Sequence, residues 1–221
     1  MTTDFEHSRT MMVDCQIRTN NVTNHNVLQA FLNVPKEAFV SAAQRPLAYI
    51  DEDLPISQDN SSRFLMESMS MAKLIQLADI SKSCIVLDIG CGTGYSTAIL
   101  STLCDSVVAI EADENLAESA TQTLVELGYD NAAVVNGAHE MGLPSEGPYD
   151  AIFVGGAVDD VPGSLIDQLK EGGRLVAVVG QGNSAVARLY QKQNGIVDHR
   201  DAFNCAVKPL PGFEKTVEFE F

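Results

Sequence analysis

The sequence predicts an α/β fold, a doubly wound sheet of mostly parallel strands preceded by a helical extension. Three observations carry this. From Cys84 onward, short apolar runs of strand length alternate with segments of helical spacing. The first of those runs, CIVLDI, breaks at a glycine cluster that opens a helix. Residues 1–80 show no such alternation, only apolar residues three and four apart. Parallel strands need crossover connections, and these are right-handed, which winds helices onto both faces of the sheet.

Taken in order, MMVDCQI, VLQAFLNV and PKEAFV have helical spacing, and Asn24 stands where it would cap the second. Residues 49–62 (YIDEDLPISQDNSS) combine turn formers with acids and read as a loop, after which RFLMESMSMAKLIQLADI resumes helical periodicity. CIVLDI is then a strand, GYSTAILSTLC a helix and SVVAIE a strand. DENLAESATQTLVELG is a helix opened by Asp113 and closed by Gly128, and AAVVN is a strand. YDAIFVGG and GRLVAVVG are two further buried strands with VPGSLIDQLK as a short helix between them. The tail from Ala185, including VARLYQKQ and KTVEFEF, alternates with period two and predicts antiparallel strands at one edge.

Composition narrows the function classes. With 221 residues and 45% hydrophobic content the chain can bury a core, and a formal charge of −16 disfavours a grip on phosphate backbones, so nucleic acid is not an expected partner. No Lys or Arg lies between Lys82 and Lys170, a stretch with 14 acids. An anionic ligand there would depend on backbone N–H groups and helix ends. No apolar run reaches the length of a membrane span, and MTTDFEHSRT lacks the basic and apolar regions of a secretory signal, so a cytoplasmic location is expected. The five cysteines lack CxxC spacing and the four histidines lack metal-ligand spacing, so neither a disulfide framework nor a metal is expected. Oligomeric state is left open.

The most informative segment is Val86 to Gly94 (VLDIGCGTG), a strand running into a glycine-rich turn and then a helix. Glycines at such a turn let a ligand approach the backbone at the carboxyl end of a strand. A nicotinamide fingerprint would place its third glycine where Tyr95 stands; the spacing here is GxGxG through Gly90, Gly92 and Gly94, around Cys91 and after Asp88. Glu111 ends the next strand, where a carboxylate can accept hydrogen bonds from both hydroxyls of a ribose. A bare strand-to-helix turn and a nicotinamide or flavin site are the alternatives.

The combination of Asp88, three alternating glycines and Glu111 resembles the class I S-adenosylmethionine-dependent methyltransferases. Upstream MVDCQIR, VPKEAFV and LAYIDEDLPI, with LGYDNAAVVNG, PYDAIFVGGA and VPGSLIDQLKEGGRLVAVVG downstream, narrow the resemblance to the protein-L-isoaspartate (D-aspartate) O-methyltransferases. That resemblance implies a Rossmann-like methyltransferase sheet of about seven strands. It divides the chain into a helical, substrate-covering extension (residues 1–80) and an S-adenosylmethionine-binding domain (81–221). It further implies methyl transfer to the carboxylate of isoaspartyl residues in damaged proteins or peptides, beginning repair through a succinimide. Ala112, Ala138 and His139 fall at the adenine side of the implied cofactor site.

Two departures from the family pattern stand out. After LPI the family has a GxGQTISxP-like segment, whereas this chain has Ser57-Gln58-Asp59-Asn60-Ser61-Ser62-Arg63-Phe64-Leu65. The family's Gly-Asp-Gly, whose Asp bonds adenine, appears as Gly137-Ala138-His139. Within the altered segment Ser61, Ser62 and Arg63 are the expected donors to an acceptor carboxylate, with Arg63 as a bidentate clamp; helix capping and a solvated first-turn arginine are the plainer alternatives. His139 is read either as stacking near adenine or as a surface-loop histidine, and Cys91 as a small residue filling a turn. An acceptor carboxylate, with a pKa near ~4, is already ionised and needs no general base. A different acceptor, or a regulatory protein that binds the cofactor without catalysis, remains open at this point.

Overall fold

A computed structural model describes residues 4–57 and 63–214. The extension opens with α1 (Phe5–Met12), capped by the Asp4 carboxylate accepting from the His7 amide, and continues through a wider π turn at Val13–Ile17. Helix α2 (His25–Asn33) starts at Asn24, whose side chain accepts from the amides of Asn26 and Val27, as the sequence predicts. PKEAFV forms only a single 3-10 turn at Lys36–Phe39.

The expected helix from Arg63 starts later. Phe64–Leu65 is a strand, β2, paired antiparallel with β1 (Leu54–Pro55), and helix α3 runs over Ser68–Ala78. The Asp53 carboxylate accepts the Glu67 amide and so fixes where α3 begins. Pairing across the loop thus overrides the helical spacing of RFLMESM, because two backbone ladders cannot use the same N–H groups.

The main sheet has seven strands: β3 (Ile85–Ile89), β4 (Ser106–Glu111), β5 (Ala132–Asn136), β6 (Tyr149–Val158), β7 (Leu169–Val179), β8 (Val186–Gln193) and β9 (Ile196–Asn204). Their order is β5-β4-β3-β6-β7-β8-β9, parallel through β7 and antiparallel for β8 and β9. Helices α4 (Tyr95–Ser101), α5 (Glu114–Glu126) and α6 (Gly163–Ile166) fill the connections. Helix α6 is shorter than VPGSLIDQLK suggests because Leu169 already belongs to β7. The edge partner of β8 is β9; KTVEFEF lies outside the described residues.

Strand residues alternate between two cores. Val86, Ala151 and Phe153 pack with α1 to α4, while Leu87, Ile89, Ile152 and Val154 pack with Leu165 and Leu175 on the other face. The extension therefore shares its core with one side of the sheet. Tyr95, wholly buried at the start of α4, lies between Phe31 and Phe39 with ring centroids 6.2 and 5.6 Å away. The Thr93 hydroxyl donates to the Phe39 carbonyl at 2.6 Å, tying the glycine loop to the extension. The chain order reverses at β3, flanked by β4 and β6, so the crevice for a ligand falls at its carboxyl end.

Candidate active site

Strand register brings the site together. Ile89 pairs with Ile110, so the chain leaves β3 at Gly90 just as β4 reaches Glu111. The amides of Gly90 and Cys91 both donate to the Ile110 carbonyl, at 2.8 and 3.3 Å, which folds the loop back over the end of β4. Gly90 and Gly92 have φ of +76° and +58°, a region side chains rarely adopt. Both are also closely covered: a Cβ on Gly90 would lie 2.5 Å from Leu210 Cδ1, and one on Gly92 would lie 2.5 Å from Ile56 Cδ1. Gly94 is the residue before α4.

Asp88 is completely buried. Its Oδ2 accepts from the hydroxyls of Ser96 (2.8 Å) and Thr97 (2.7 Å) on α4, while Oδ1 has no hydrogen-bond partner. Burial, aided by the nearby charge of Glu111, pushes its carboxyl up to about 6 despite those two hydroxyls. A buried carboxylate oxygen without a partner is a position suited to a cationic group.

Glu111 is also fully buried, and it is crowded with donors. Arg63 grips it with two bonds, Nε to Oε1 at 3.2 Å and Nη2 to Oε2 at 2.5 Å, while the amides of Gly92 (2.7 Å) and Asp113 (3.2 Å) complete the set. Burial alone would raise its pKa; the charge and hydrogen bonds of Arg63 outweigh that and hold it below the usual carboxylate range. The arginine that the sequence suggests as a clamp for a substrate carboxylate is thus closed on the protein's own carboxylate, and it is 5% exposed, not a solvated helix residue. Ser61 and Ser62 lie outside the described residues.

His139 is 1% exposed, so the surface-loop reading does not hold. Its Nε2 accepts the Ala112 amide at 3.0 Å and Nδ1 faces the Pro211 carbonyl at 3.0 Å. That pairing requires the tautomer with the proton on Nδ1, so the 3.4 Å approach of Nε2 to Glu111 Oε1 is a contact without a shared proton. Ala138, by contrast, is exposed. Cys91 is buried against Ala109 and Ala120, and burial pushes its thiol well above the ordinary range, which removes it as a nucleophile.

Two contributors escaped the sequence reading. Ile56 precedes the altered segment, and its amide donates to the Arg63 carbonyl at 2.9 Å. Leu210 arrives from the C-terminal segment, held on the end of β6 by its amide donating to the Ala157 carbonyl (2.8 Å) and by the Ala157 amide donating to the Lys208 carbonyl (2.9 Å). No local pattern announces a contact between positions separated by 120 residues along the chain, from Gly90 to Leu210. Among the described residues no group of three or more His, Cys, Asp or Glu could hold a metal, and no helix is long and apolar enough to cross a membrane.

Comparison with known proteins agrees with this geometry. The family model described as protein-L-isoaspartate(D-aspartate) O-methyltransferase matches residues 7–215. A protein-L-isoaspartate O-methyltransferase of Koribacter versatilis (strain Ellin345) is 36% identical over 210 residues, 95% of this chain and 93% of its own. That of Syntrophus aciditrophicus (strain SB) is 40% identical over 176 residues, 80% and 79% of the two chains. A solved protein-L-isoaspartate O-methyltransferase superposes with a TM-score of 0.81 at 27% identity, over 93% of this chain and 67% of the other. A second solved structure, from Plasmodium falciparum in complex with S-adenosyl-L-homocysteine, has the same fold (TM-score 0.77, 19% identity, 95% and 99% covered).

Proposed function

The chain belongs to the protein-L-isoaspartate(D-aspartate) O-methyltransferase family, S-adenosylmethionine-dependent enzymes of protein repair, and we propose that its acceptor is the carboxylate of isoaspartyl residues in damaged proteins. The match to the family over residues 7–215 carries the acceptor, and the observation that carries the cofactor site is the pair of buried carboxylates, Asp88 and Glu111, at the carboxyl ends of adjacent parallel strands on either side of the glycine loop. The donor chemistry fits the cofactor. Asp88 Oδ1, buried and unpartnered, would face its cationic end; the backbone of Gly90, Cys91, Gly92 and Gly94 would pass beneath it; and Glu111 would accept from its ribose. Ala112, Ala138 and His139 would border the adenine. The space is a different matter, since Ile56 lies against Gly92 and Arg63 occupies Glu111, so both would have to move before a ribose reaches that carboxylate.

When bound, S-adenosylmethionine supplies an electrophilic methyl group on a sulfonium. The protein's task is then to hold a carboxylate oxygen in line with it and to exclude water. No side chain is needed as a base, because the acceptor is already ionised at neutral pH. Arg63, once off Glu111, together with Ser61 and Ser62, orients the acceptor by donating to its oxygens. Residues 1–80 serve as the substrate-covering part and residues 81–221 as the cofactor-binding part. The net charge of −16 argues against nucleic acid as the acceptor, and five free cysteines fit a reducing cytoplasm. Labelled methyl transfer to an isoaspartyl peptide, with the aspartyl peptide of the same sequence as control, tests the reading; transfer to the isoaspartyl peptide alone is expected. Equal labelling of both peptides, or of neither with cofactor bound, would reject isoaspartate as the acceptor.

A further inference from the structure

An ionised carboxylate offers about four lone-pair directions. At Glu111 four N–H groups already take them: Arg63 Nε and the Asp113 amide on Oε1, Arg63 Nη2 and the Gly92 amide on Oε2. The two amides are backbone, fixed by the glycine loop and by the start of α5. The other two donors belong to one side chain. A ribose presenting two hydroxyls to Glu111 needs the same two directions that Arg63 holds. We propose that Arg63 is an internal competitor of the cofactor's ribose, so that the free enzyme is held closed by the Arg63–Glu111 pair and opens only when the guanidinium leaves. The proposal rests on the methyltransferase reading of this site.

Packing supports a closure made of more than one side chain. Ile56 and Arg63, next to the β1–β2 pair, are joined by the Ile56 amide donating to the Arg63 carbonyl. Both reach the same glycine: where Gly92 would carry a Cβ, Ile56 Cδ1 is 2.5 Å away and Arg63 Nη2 3.9 Å. The ion pair is buried, with side-chain exposures of 6% and 0%, so salt does not loosen it as it would a surface pair. Cofactor affinity is then reduced by the fraction of molecules that are open. Opening also transfers the Arg63 charge from an internal carboxylate to the acceptor carboxylate, which makes cofactor binding precede acceptor binding.

Calorimetric titration of the full chain with S-adenosylhomocysteine tests this in three proteins: parent, Arg63→Gln and Ile56→Ala, each first shown to unfold cooperatively in urea. Arg63→Gln is expected to bind about ten-fold tighter or more, and Ile56→Ala by a few-fold, while Arg63→Gln raises KM for an isoaspartyl peptide. A parent that binds as tightly as both variants overturns the proposal and leaves the family reading intact. No binding by any of the three overturns both. If Arg63→Gln does not fold, an unchanged affinity in Ile56→Ala overturns the closure by itself.

Discussion

Replacing Asp88 by Asn is expected to stabilise the fold at neutral pH while weakening cofactor binding. Asp88 is 0% exposed, and one of its two oxygens has no partner. Burial pushes its carboxyl from 3.8 to about 6. Because the folded pKa lies above the unfolded one, the folded state binds the proton more tightly, and stability falls as pH rises from 3.8 to about 6. Above that window the full cost is present, about 3 kcal/mol at 1.36 kcal/mol per pH unit. An Asn removes the charge and keeps an oxygen for the hydroxyls of Ser96 and Thr97, but its amide nitrogen is then a buried donor lacking a partner, a loss of about 1 kcal/mol. The net expectation is a gain of about 2 kcal/mol at pH 7.5 that vanishes toward pH 4. The chain has no Trp, so far-UV circular dichroism in urea, at pH values from 4.5 to 8, is the suitable readout. A variant less stable than the parent at pH 7.5, or a difference that does not change with pH, would refute the reasoning.

Other expectations follow from neighbouring groups. Burial brings the Lys36 amine down to about 8 although Asp53, Asp51 and Glu67 oppose this, so the unfolded state binds its proton more tightly and stability should rise between about pH 8 and 10.5; Lys36→Met should abolish that rise in urea titrations at pH 7.5 and 9.5. Glu111→Ala leaves the Arg63 guanidinium buried without its carboxylate and should cost about 3–5 kcal/mol in the same assay. Thr93→Val removes the 2.6 Å bond to the Phe39 carbonyl, with an expected loss of about 1 kcal/mol and weaker S-adenosylhomocysteine binding by calorimetry. In a thiol titration of the native protein, exposed Cys15 should react first and buried Cys91, Cys104 and Cys205 only on unfolding.

What the sequence revealed was what local spacing can encode. The alternation after Cys84 became a seven-stranded sheet, and Asn24 and Asp113 cap the helices they precede. Asp88, the three glycines and Glu111 meet because parallel register brings the ends of two successive strands together, which is why a motif of nine residues and an acid one strand later were enough. The missing parts are long-range. Phe64 and Leu65 have helical spacing but pair with β1, and Leu210 covers Gly90 from the far end of the chain. His139 carried no mark of burial in a segment otherwise read as a loop; the amide of Ala112 and the carbonyl of Pro211 bury it. Arg63 was noticed for its departure from the family pattern, yet its partner was not visible, since nothing in the spacing of residues 63 and 111 distinguishes an internal carboxylate from a substrate's.

The most direct test of the account is a crystal structure of the chain with S-adenosylhomocysteine. The ribose hydroxyls are expected on Glu111, with the amides of Gly92 and Asp113 still in place and the Arg63 guanidinium withdrawn together with Ile56. A bound S-adenosylhomocysteine with Arg63 still bidentate on Glu111 would contradict it.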